Sequence, residues 1–252
     1  MSGKEIRIKK IMNKNSNRTI IIPVDHGATV GPVSGITNIG QFLGELDENY
    51  VNAVVVCKGQ MLNRDVIQNC RIPKIVHLSN SSIISSKPDD KVLVGSVENA
   101  IALGADAISV HVNIGAENDT EMLRDFGKIS DDCYRWGMPL LAMMYAKNNH
   151  GNDAQPQTIK ILARIAQEMG ADIVKVNYTG DAESFREVVE GCSIPIIIAG
   201  GGGNDEKQAV ENAYNAVKAG AAGIAYGRNI FQHSNHNDLI KKLYNVVHFE
   251  NI

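Results

Sequence analysis

The sequence has no apolar run long enough to cross a membrane. Its longest runs, such as Ile20 to Pro23 and Ile194 to Ala199, fall far short of the roughly 20 residues that a spanning helix needs. The basic N-terminus, Met1 to Lys10, leads into polar residues and not into the apolar core of a secretion signal. We therefore expect no membrane association and predict a cytoplasmic location.

The sequence also lacks an excess of positive charge and a paired-cysteine motif. It has 25 Lys and Arg against 28 Asp and Glu, a formal net charge of −3, so nothing favours binding to a nucleic-acid backbone. The four cysteines form no C-x-x-C pair, which argues against a zinc ribbon and a disulfide framework. We expect reduced thiols and no nucleic-acid partner.

Length and composition leave two architectures open. A chain of 252 residues fits two small domains or one large α/β barrel, given about 150 residues per domain. Hydrophobic residues make up 44% of the chain, enough for a large core.

A recurring junction distinguishes the two architectures. Gly104, Gly170 and Gly220 each end a helix-like stretch and precede a short link and a run that is apolar on both faces, as expected where a helix leads into a covered parallel strand. No linker divides the chain, and no G-x-G-x-x-G follows the first strand, as an open dinucleotide-binding sheet would need. Eight such strands are predicted: 20–25, 52–57, 74–78, 106–111, 139–144, 172–176, 194–199 and 223–227.

We therefore predict an α/β fold, a single-domain TIM (βα)8 barrel spanning residues 1–252, with 1–18 as an N-terminal extension. A surplus apolar run at 91–94 is assigned to an excursion within the third βα unit, after a polar loop at 79–87. In this fold the chemistry takes place at the carboxyl ends of the strands.

Glycine-rich segments follow the last two predicted strands. Gly200 to Gly203 follow the seventh strand, and Gly227 with Arg228 follows the eighth. Glycines allow backbone N–H groups to approach a phosphate closely, and Arg228 adds charge, so we predict a phosphorylated ligand. The alternative is a flexible loop with Arg228 paired to a surface carboxylate.

Lys175 is the strongest candidate for covalent chemistry. It lies within the apolar strand 172–176, where desolvation disfavours the ammonium form and favours a nucleophilic amine that can form a Schiff base. Pairing with a buried carboxylate such as Asp25 is an equal alternative, and Lys58 and Lys147 also lie near strand ends. Imine chemistry needs a base and an acid, and Asp25 and Tyr145 suit those roles.

Metal-binding patterns are absent from the sequence. His26, His77 and His111 come from three predicted strands and form no H-x-H or H-E-x-x-H motif. We therefore predict no metal and no cofactor besides a covalent lysine imine.

Five motifs, in order at five strand ends, resemble the archaeal-type class I aldolases, the DhnA family. They are Val24-Asp25-His26-Gly27, Ala142-Met143-Met144-Tyr145, Lys175-Val176-Asn177-Tyr178, Ala199-Gly200-Gly201 and Gly227-Arg228-Asn229-Ile230-Phe231. Within that family the chain is most similar to the 2-amino-3,7-dideoxy-D-threo-hept-6-ulosonate synthases and their secondary-metabolism relatives, on the stretches 110–115, 136–139 and 178–181 with Ser184-Phe185-Arg186.

The resemblance implies an enzyme that joins a phosphorylated keto donor, dihydroxyacetone phosphate or a deoxyketohexose phosphate, to L-aspartate 4-semialdehyde. It implies Lys175 as the Schiff-base lysine, Asp25 as proton acceptor and Tyr145 as proton donor. Substrate and phosphate contacts are expected from the set His26, Lys147, Gly200, Gly201, Gly227 and Arg228. It also implies a homo-oligomer, such as a decameric ring, working in aromatic amino acid biosynthesis or in secondary metabolism.

One departure from the family is visible, because Tyr145 is followed by Ala146 and Lys147 where the family usually continues Pro-Arg. Replacing Arg with Lys exchanges a planar fork for a point charge, which affects donor recognition. The same scaffold leaves fructose-bisphosphate cleavage and thiolase-like acyl transfer open. A non-catalytic phosphosugar sensor is the alternative from another class.

Overall fold

A closed barrel of parallel strands forms the centre of the molecule. The computed structural model describes residues 2–147, 154–201 and 205–249. The barrel order is β1-β10-β9-β8-β7-β6-β3-β2, which confirms the predicted TIM barrel. Its strands are β1 (Thr19–Pro23), β2 (Ala53–Cys57), β3 (Lys74–His77), β6 (Ala107–Ile114), β7 (Leu140–Ala146), β8 (Ile173–Val176), β9 (Ile196–Ala199) and β10 (Gly223–Ala225). The other two, β4 (Ser79–Asn80) and β5 (Val92–Leu93), pair with each other as a short antiparallel ribbon.

Helices alternate with the barrel strands. A 3₁₀ turn (Lys58–Leu62) follows β2. The α-helices are α1 (Gly3–Ile11), α2 (Gly27–Val30), α3 (Ile39–Glu45), α4 (Arg64–Asn69), α5 (Val97–Ala102), α6 (Asp119–Trp136), α7 (Pro156–Glu168), α8 (Ala182–Glu190), α9 (Glu206–Lys218), α10 (Arg228–Phe231) and α11 (His236–Phe249). Gly104, Gly170 and Gly220 have φ of 87°, 86° and 109°. These left-handed conformations confirm the predicted helix-to-strand junctions. Within the described residues no helix is long and apolar enough to cross a membrane.

Two apolar layers hold the barrel together. The strands' alternating side chains point either into the barrel or toward the surrounding helices. Ile21 and Val55 belong to the inner cluster, whereas Ile20, Ile22 and Val54 pack in the outer one. Because each strand is buried on both faces, its residues are apolar on both faces, and this is the pattern from which the strands were predicted.

Helix α1, in the predicted extension 1–18, lies against the amino ends of the strands. Ser2 caps it reciprocally with Glu5, and Ile11, at its last turn, is fully buried in the inner cluster. Lys4 and Lys10 form ion pairs of 2.9 and 2.8 Å with Asp172 and Asp106, which precede β8 and β6. The helix thereby covers the end of the barrel opposite the strands' carboxyl ends.

Most strand boundaries differ from the predictions by one to three residues; β1 and β10, for example, end at Pro23 and Ala225 and not at residues 25 and 227. β6 and β7 continue to Ile114 and Ala146, beyond the predicted ends at His111 and Met144, because the two strands remain paired up to Ile114 and Ala146. The run at 91–94 does belong to an excursion after β3, as predicted. The preceding segment 79–87 is not wholly a loop, because Ser79 and Asn80 pair with Leu93 and Val92.

Replacing Ile11 with alanine should destabilise the fold. The substitution leaves a cavity in the barrel's inner cluster, which costs about 2–5 kcal/mol in the free energy of unfolding. The matched control is Ile6→Ala on the same helix, where the side chain is 51% exposed and the cost should stay within about 0.5 kcal/mol. Denaturant titration measures both, and equal losses would contradict this account of α1.

Candidate active site

Two adjoining cavities open at the carboxyl ends of the barrel strands. The larger, about 530 Å³, is bordered by Gly200, Gly201, Asn177 and Tyr178. The smaller, about 300 Å³, is bordered by Asp25, His77 and Lys91. Five side chains line both cavities, and the place where they lie is called the junction below: His26, His111, Tyr145, Lys175 and Arg228.

The structure separates the three lysines that the sequence left as alternatives. Lys58 donates to the Val94 carbonyl and lines neither cavity. Lys147 borders the larger cavity and lies 3.5 Å from the Asp89 carboxylate. Lys175 projects from β8 into both cavities and is 8% exposed. Of these three lysines, Lys175 alone reaches the junction.

Lys175 forms no ion pair with a carboxylate among the residues that the structure describes. The alternative in which it is neutralised by Asp25 is therefore not what the geometry shows. Lys175 is the polar residue of an otherwise apolar strand, and it pairs with Met143 on β7 and Ile197 on β9. A side chain so placed can react with a ligand that enters either cavity.

Asp25 lies just beyond β1, among histidines. Its carboxylate is 3.6 Å from His26 Nδ1 and 3.9 Å from His77 Nε2. Burial by itself raises the pKa of Asp25, but electrostatic interactions with His77, His26 and Lys175 outweigh burial and leave that pKa below its usual value. Burial also lowers the pKa of both histidines. Asp25 is therefore a carboxylate that can accept a proton.

His111 is held by a chain of hydrogen bonds. The side-chain nitrogen of Asn113 donates to the Asp89 carbonyl at 2.6 Å, so its oxygen is the acceptor for His111 Nε2 at 2.8 Å. The proton of the neutral ring is therefore on Nε2. Tyr145 packs against this ring with centroids 4.9 Å apart, which fixes the orientation of the phenol at the junction.

Gly227 and Gly200 allow close packing at the rim of the larger cavity. A Cβ on Gly227 would lie 2.6 Å from the His26 ring, and one on Gly200 would lie 2.2 Å from the Asn229 side chain. A Cβ on Gly201 would meet nothing within 4 Å. Gly202 and Gly203 of the predicted loop lie outside the described residues.

The structure brings together every site residue predicted from the sequence, and it adds others. Asp25, His26, Tyr145, Lys147, Lys175, Gly200, Gly201, Gly227 and Arg228 all line one or both cavities. His77 and His111, considered only as metal ligands, are also lining residues. Lys91 was missed, although its place at the start of the surplus run 91–94 was a signal. Among the described residues no group of three or more His, Cys, Asp or Glu could hold a metal ion.

Comparisons with known proteins agree with this architecture. The DeoC/LacD family aldolase model matches residues 19–233. The chain is 42% identical over 248 residues to 2-amino-3,7-dideoxy-D-threo-hept-6-ulosonate synthase 1 of Archaeoglobus fulgidus, covering 98% of this chain and 92% of that one. It is 34% identical to the 2-amino-4,5-dihydroxy-6-oxo-7-(phosphonooxy)heptanoate synthase of Streptomyces griseus, covering 98% and 90%.

Among solved structures, an archaeal fructose-1,6-bisphosphate aldolase with its catalytic lysine covalently bound to the carbinolamine intermediate is similar, with a TM-score of 0.88. The two chains are 25% identical, and the match covers 98% of this chain and 99% of that one. The fold and site thus define a class I aldolase-type enzyme. The chain belongs to the DeoC/LacD family of aldolases, which confirms the resemblance to the archaeal-type enzymes.

His77 and His111 should each be less than half protonated at pH 6.5, where an ordinary histidine is half protonated. Burial is the main cause, and it places the pKa of His111 well below its usual value. Side-chain ¹⁵N spectra between pH 5 and 8 should show both midpoints below pH 6.5, that of His111 well below, with the His111 proton on Nε2. His77→Gln and His111→Gln provide the assignments. A midpoint at or above 6.5 would contradict this electrostatic picture.

Proposed function

We propose that this protein is a Schiff-base aldolase that joins a phosphorylated ketone to an aldehyde, and that the aldehyde is L-aspartate 4-semialdehyde. The observation that carries the proposal is the position of Lys175 at the junction of two cavities. A lysine there can hold a ketone from one cavity as an imine while an aldehyde enters from the other.

The larger cavity suits the phosphate of the donor. Gly200, Gly201 and Gly227 offer backbone close to the ligand, and Arg228 supplies a cation that favours phosphate oxygens. His26 and Lys147 line the same cavity and complete the binding set. Dihydroxyacetone phosphate or a deoxyketohexose phosphate would then place its carbonyl carbon near Lys175.

The chemistry follows from these positions. The Lys175 amine adds to the ketone, and loss of water from the carbinolamine gives an imine that acts as an electron sink. With dihydroxyacetone phosphate, the Asp25 carboxylate accepts the proton from the carbon beside the imine, which gives an enamine on Lys175. With a hexose donor, Asp25 accepts the hydroxyl proton instead, the carbon–carbon bond breaks, and the other fragment leaves as an aldehyde while the enamine stays on Lys175. The enamine carbon bonds to the aldehyde carbon, and Tyr145 protonates the new alkoxide. Water then hydrolyses the imine and restores Lys175, and the proton that Asp25 accepted passes to the Tyr145 phenolate through solvent.

The name of the Streptomyces griseus relative supports the choice of acceptor. A 4-hydroxy-6-oxo skeleton is a β-hydroxy ketone, the product of an aldol addition that forms the bond between carbons 4 and 5. Division at that bond gives a three-carbon phosphorylated ketone and a four-carbon amino acid aldehyde. Donor and acceptor combine without loss of atoms.

Fructose 1,6-bisphosphate cleavage is the second candidate, because solved structures of such aldolases match 98% of this chain. Product analysis separates the two reactions. Acyl transfer remains an alternative on the same scaffold, and a sensor would not need Lys175, Asp25 and Tyr145 together. The homo-oligomer and the cytoplasmic location stay predictions.

Borohydride reduction in the presence of dihydroxyacetone phosphate should attach the three-carbon donor to Lys175. Lys175→Ala should lose the adduct, because Lys175 is the one lysine of the described residues that lines both cavities. Lys58→Ala is the matched control, since Lys58 lines neither cavity, and it should keep the adduct. Peptide mass spectrometry locates the modified lysine.

Other ketones are offered in the same assay, namely a deoxyketohexose phosphate and fructose 1,6-bisphosphate, with and without aspartate semialdehyde. An adduct on Lys147, or none with any of these ketones, would refute the proposed imine at Lys175.

Gly201→Ala should weaken binding of the phosphorylated donor while leaving the fold intact. The added methyl meets no atom within 4 Å among the residues that the structure describes, but it borders the larger cavity, so it would encounter the ligand. We expect the donor KM to rise about tenfold or more, which corresponds to about 1.4 kcal/mol. Gly59→Ala, equally free of contacts but away from both cavities, should leave the KM unchanged. Equal KM values in the two variants would argue against a phosphate at Gly201.

A further inference from the structure

A second cation lies in the smaller cavity. Lys91 directly precedes β5, on the ribbon that leaves the barrel after β3, and its side chain borders the cavity together with Asp25, His77 and Lys175. The mechanism described above does not use it. The smaller cavity is also the space that remains when the donor phosphate occupies the larger one.

The surroundings of Lys91 differ from those of the neighbouring lysines. Lys87, on the same excursion, lies 2.6 Å from the Glu117 carboxylate, and Lys147 lies 3.5 Å from Asp89. Lys91 Nζ donates to the Ser81 hydroxyl at 2.7 Å, and within the described part of the chain no carboxylate lies within 4.0 Å of it. The half-buried ammonium therefore lacks a counter-ion of its own.

Electrostatics favour an anionic ligand at this position. Burial lowers the pKa of Lys91, although Asp25 and Asp89 raise it in part. A bound anion would restore the pKa by favouring the charged form. The same anion would be repelled by the Asp25 carboxylate in the same cavity, so it needs a nearby cation to bind at all.

We propose that Lys91 binds the carboxylate of the aldehyde acceptor and thereby determines acceptor specificity. The inference rests on the proposed function, because it takes the acceptor to be an amino acid aldehyde. The aldehyde carbon must reach the enamine at Lys175, and the carboxylate is at the other end of that four-carbon molecule. With Lys175 at the junction and Lys91 in the smaller cavity, the aldehyde end of the acceptor lies at the enamine and its carboxylate lies at the Lys91 ammonium.

An anionic acceptor could instead carry a phosphate, as glyceraldehyde 3-phosphate does in the reverse of fructose-bisphosphate cleavage. Both anions pair with an ammonium, so acceptor kinetics must distinguish them. The experiment compares wild type, Lys91→Met, Lys91→Arg and Lys87→Met at a fixed, saturating concentration of dihydroxyacetone phosphate. The acceptors are L-aspartate 4-semialdehyde, D-glyceraldehyde 3-phosphate and uncharged propanal.

Lys91→Met should raise the KM for aspartate semialdehyde about 10- to 100-fold, the range for losing a hydrogen bond between charged groups. Its rate with propanal and its borohydride adduct on Lys175 should match those of wild type. Lys91→Arg should recover part of the loss, and Lys87→Met should behave as wild type. An equal loss with propanal, or a loss confined to glyceraldehyde 3-phosphate, would overturn the inference.

Binding of L-homoserine, the unreactive alcohol with the acceptor's skeleton, separates this inference from the proposed function. Calorimetry should show weaker binding to Lys91→Met than to wild type and Lys87→Met. Equal affinities would overturn the role of Lys91 even in an active aldolase. A wild type that traps no ketone would overturn the proposed function, whatever the homoserine result.

Discussion

The seam where β10 meets β1 is the contact on which the site depends. It closes the barrel through a hydrogen bond of 2.8 Å from Thr19 N–H to the Ala222 carbonyl. Gly223 has φ of 135°, and a Cβ there would lie 1.9 Å from the Thr19 carbonyl oxygen, so only glycine permits the approach. The same closure brings Gly227 against His26 and so places the end of the last strand beside the end of the first.

Closure of the barrel also determines which charged side chains border each cavity. Arg228, after β10, borders both openings, while Asp25, after β1, borders the smaller one, with Lys175 where they meet. Burial lowers the pKa of His77 and His111, so these rings serve as neutral hydrogen-bonding groups. A low dielectric with few fixed charges strengthens each remaining interaction with a charged ligand.

The barrel and much of the site could be predicted because their signals are local. Strands buried on both faces appear as apolar runs behind capping glycines, and a parallel barrel places Asp25 and Lys175 at the same end whatever the details of packing. The ribbon's pairing carries no such signal: the apolar run 91–94 marked the excursion, but two strands of two residues have no periodicity that would show that Ser79 and Asn80 pair with it. The pairing of β6 with β7 as far as Ala146 is a property of register, which a single strand's sequence does not contain.

Asp89 connects Lys147 with the segment that leads into the β4–β5 ribbon. Its carboxylate faces Lys147, which follows β7, and its carbonyl accepts from Asn113 in β6. An exposed ion pair of this kind contributes only about 0–1 kcal/mol, so its effect is on the position of the loop and not on stability. Lys147 thus borders the larger cavity and also contacts the loop that carries Lys91. Through Asp89, Lys147 connects the rim of the larger cavity with the segment that places Lys91 beside the smaller one.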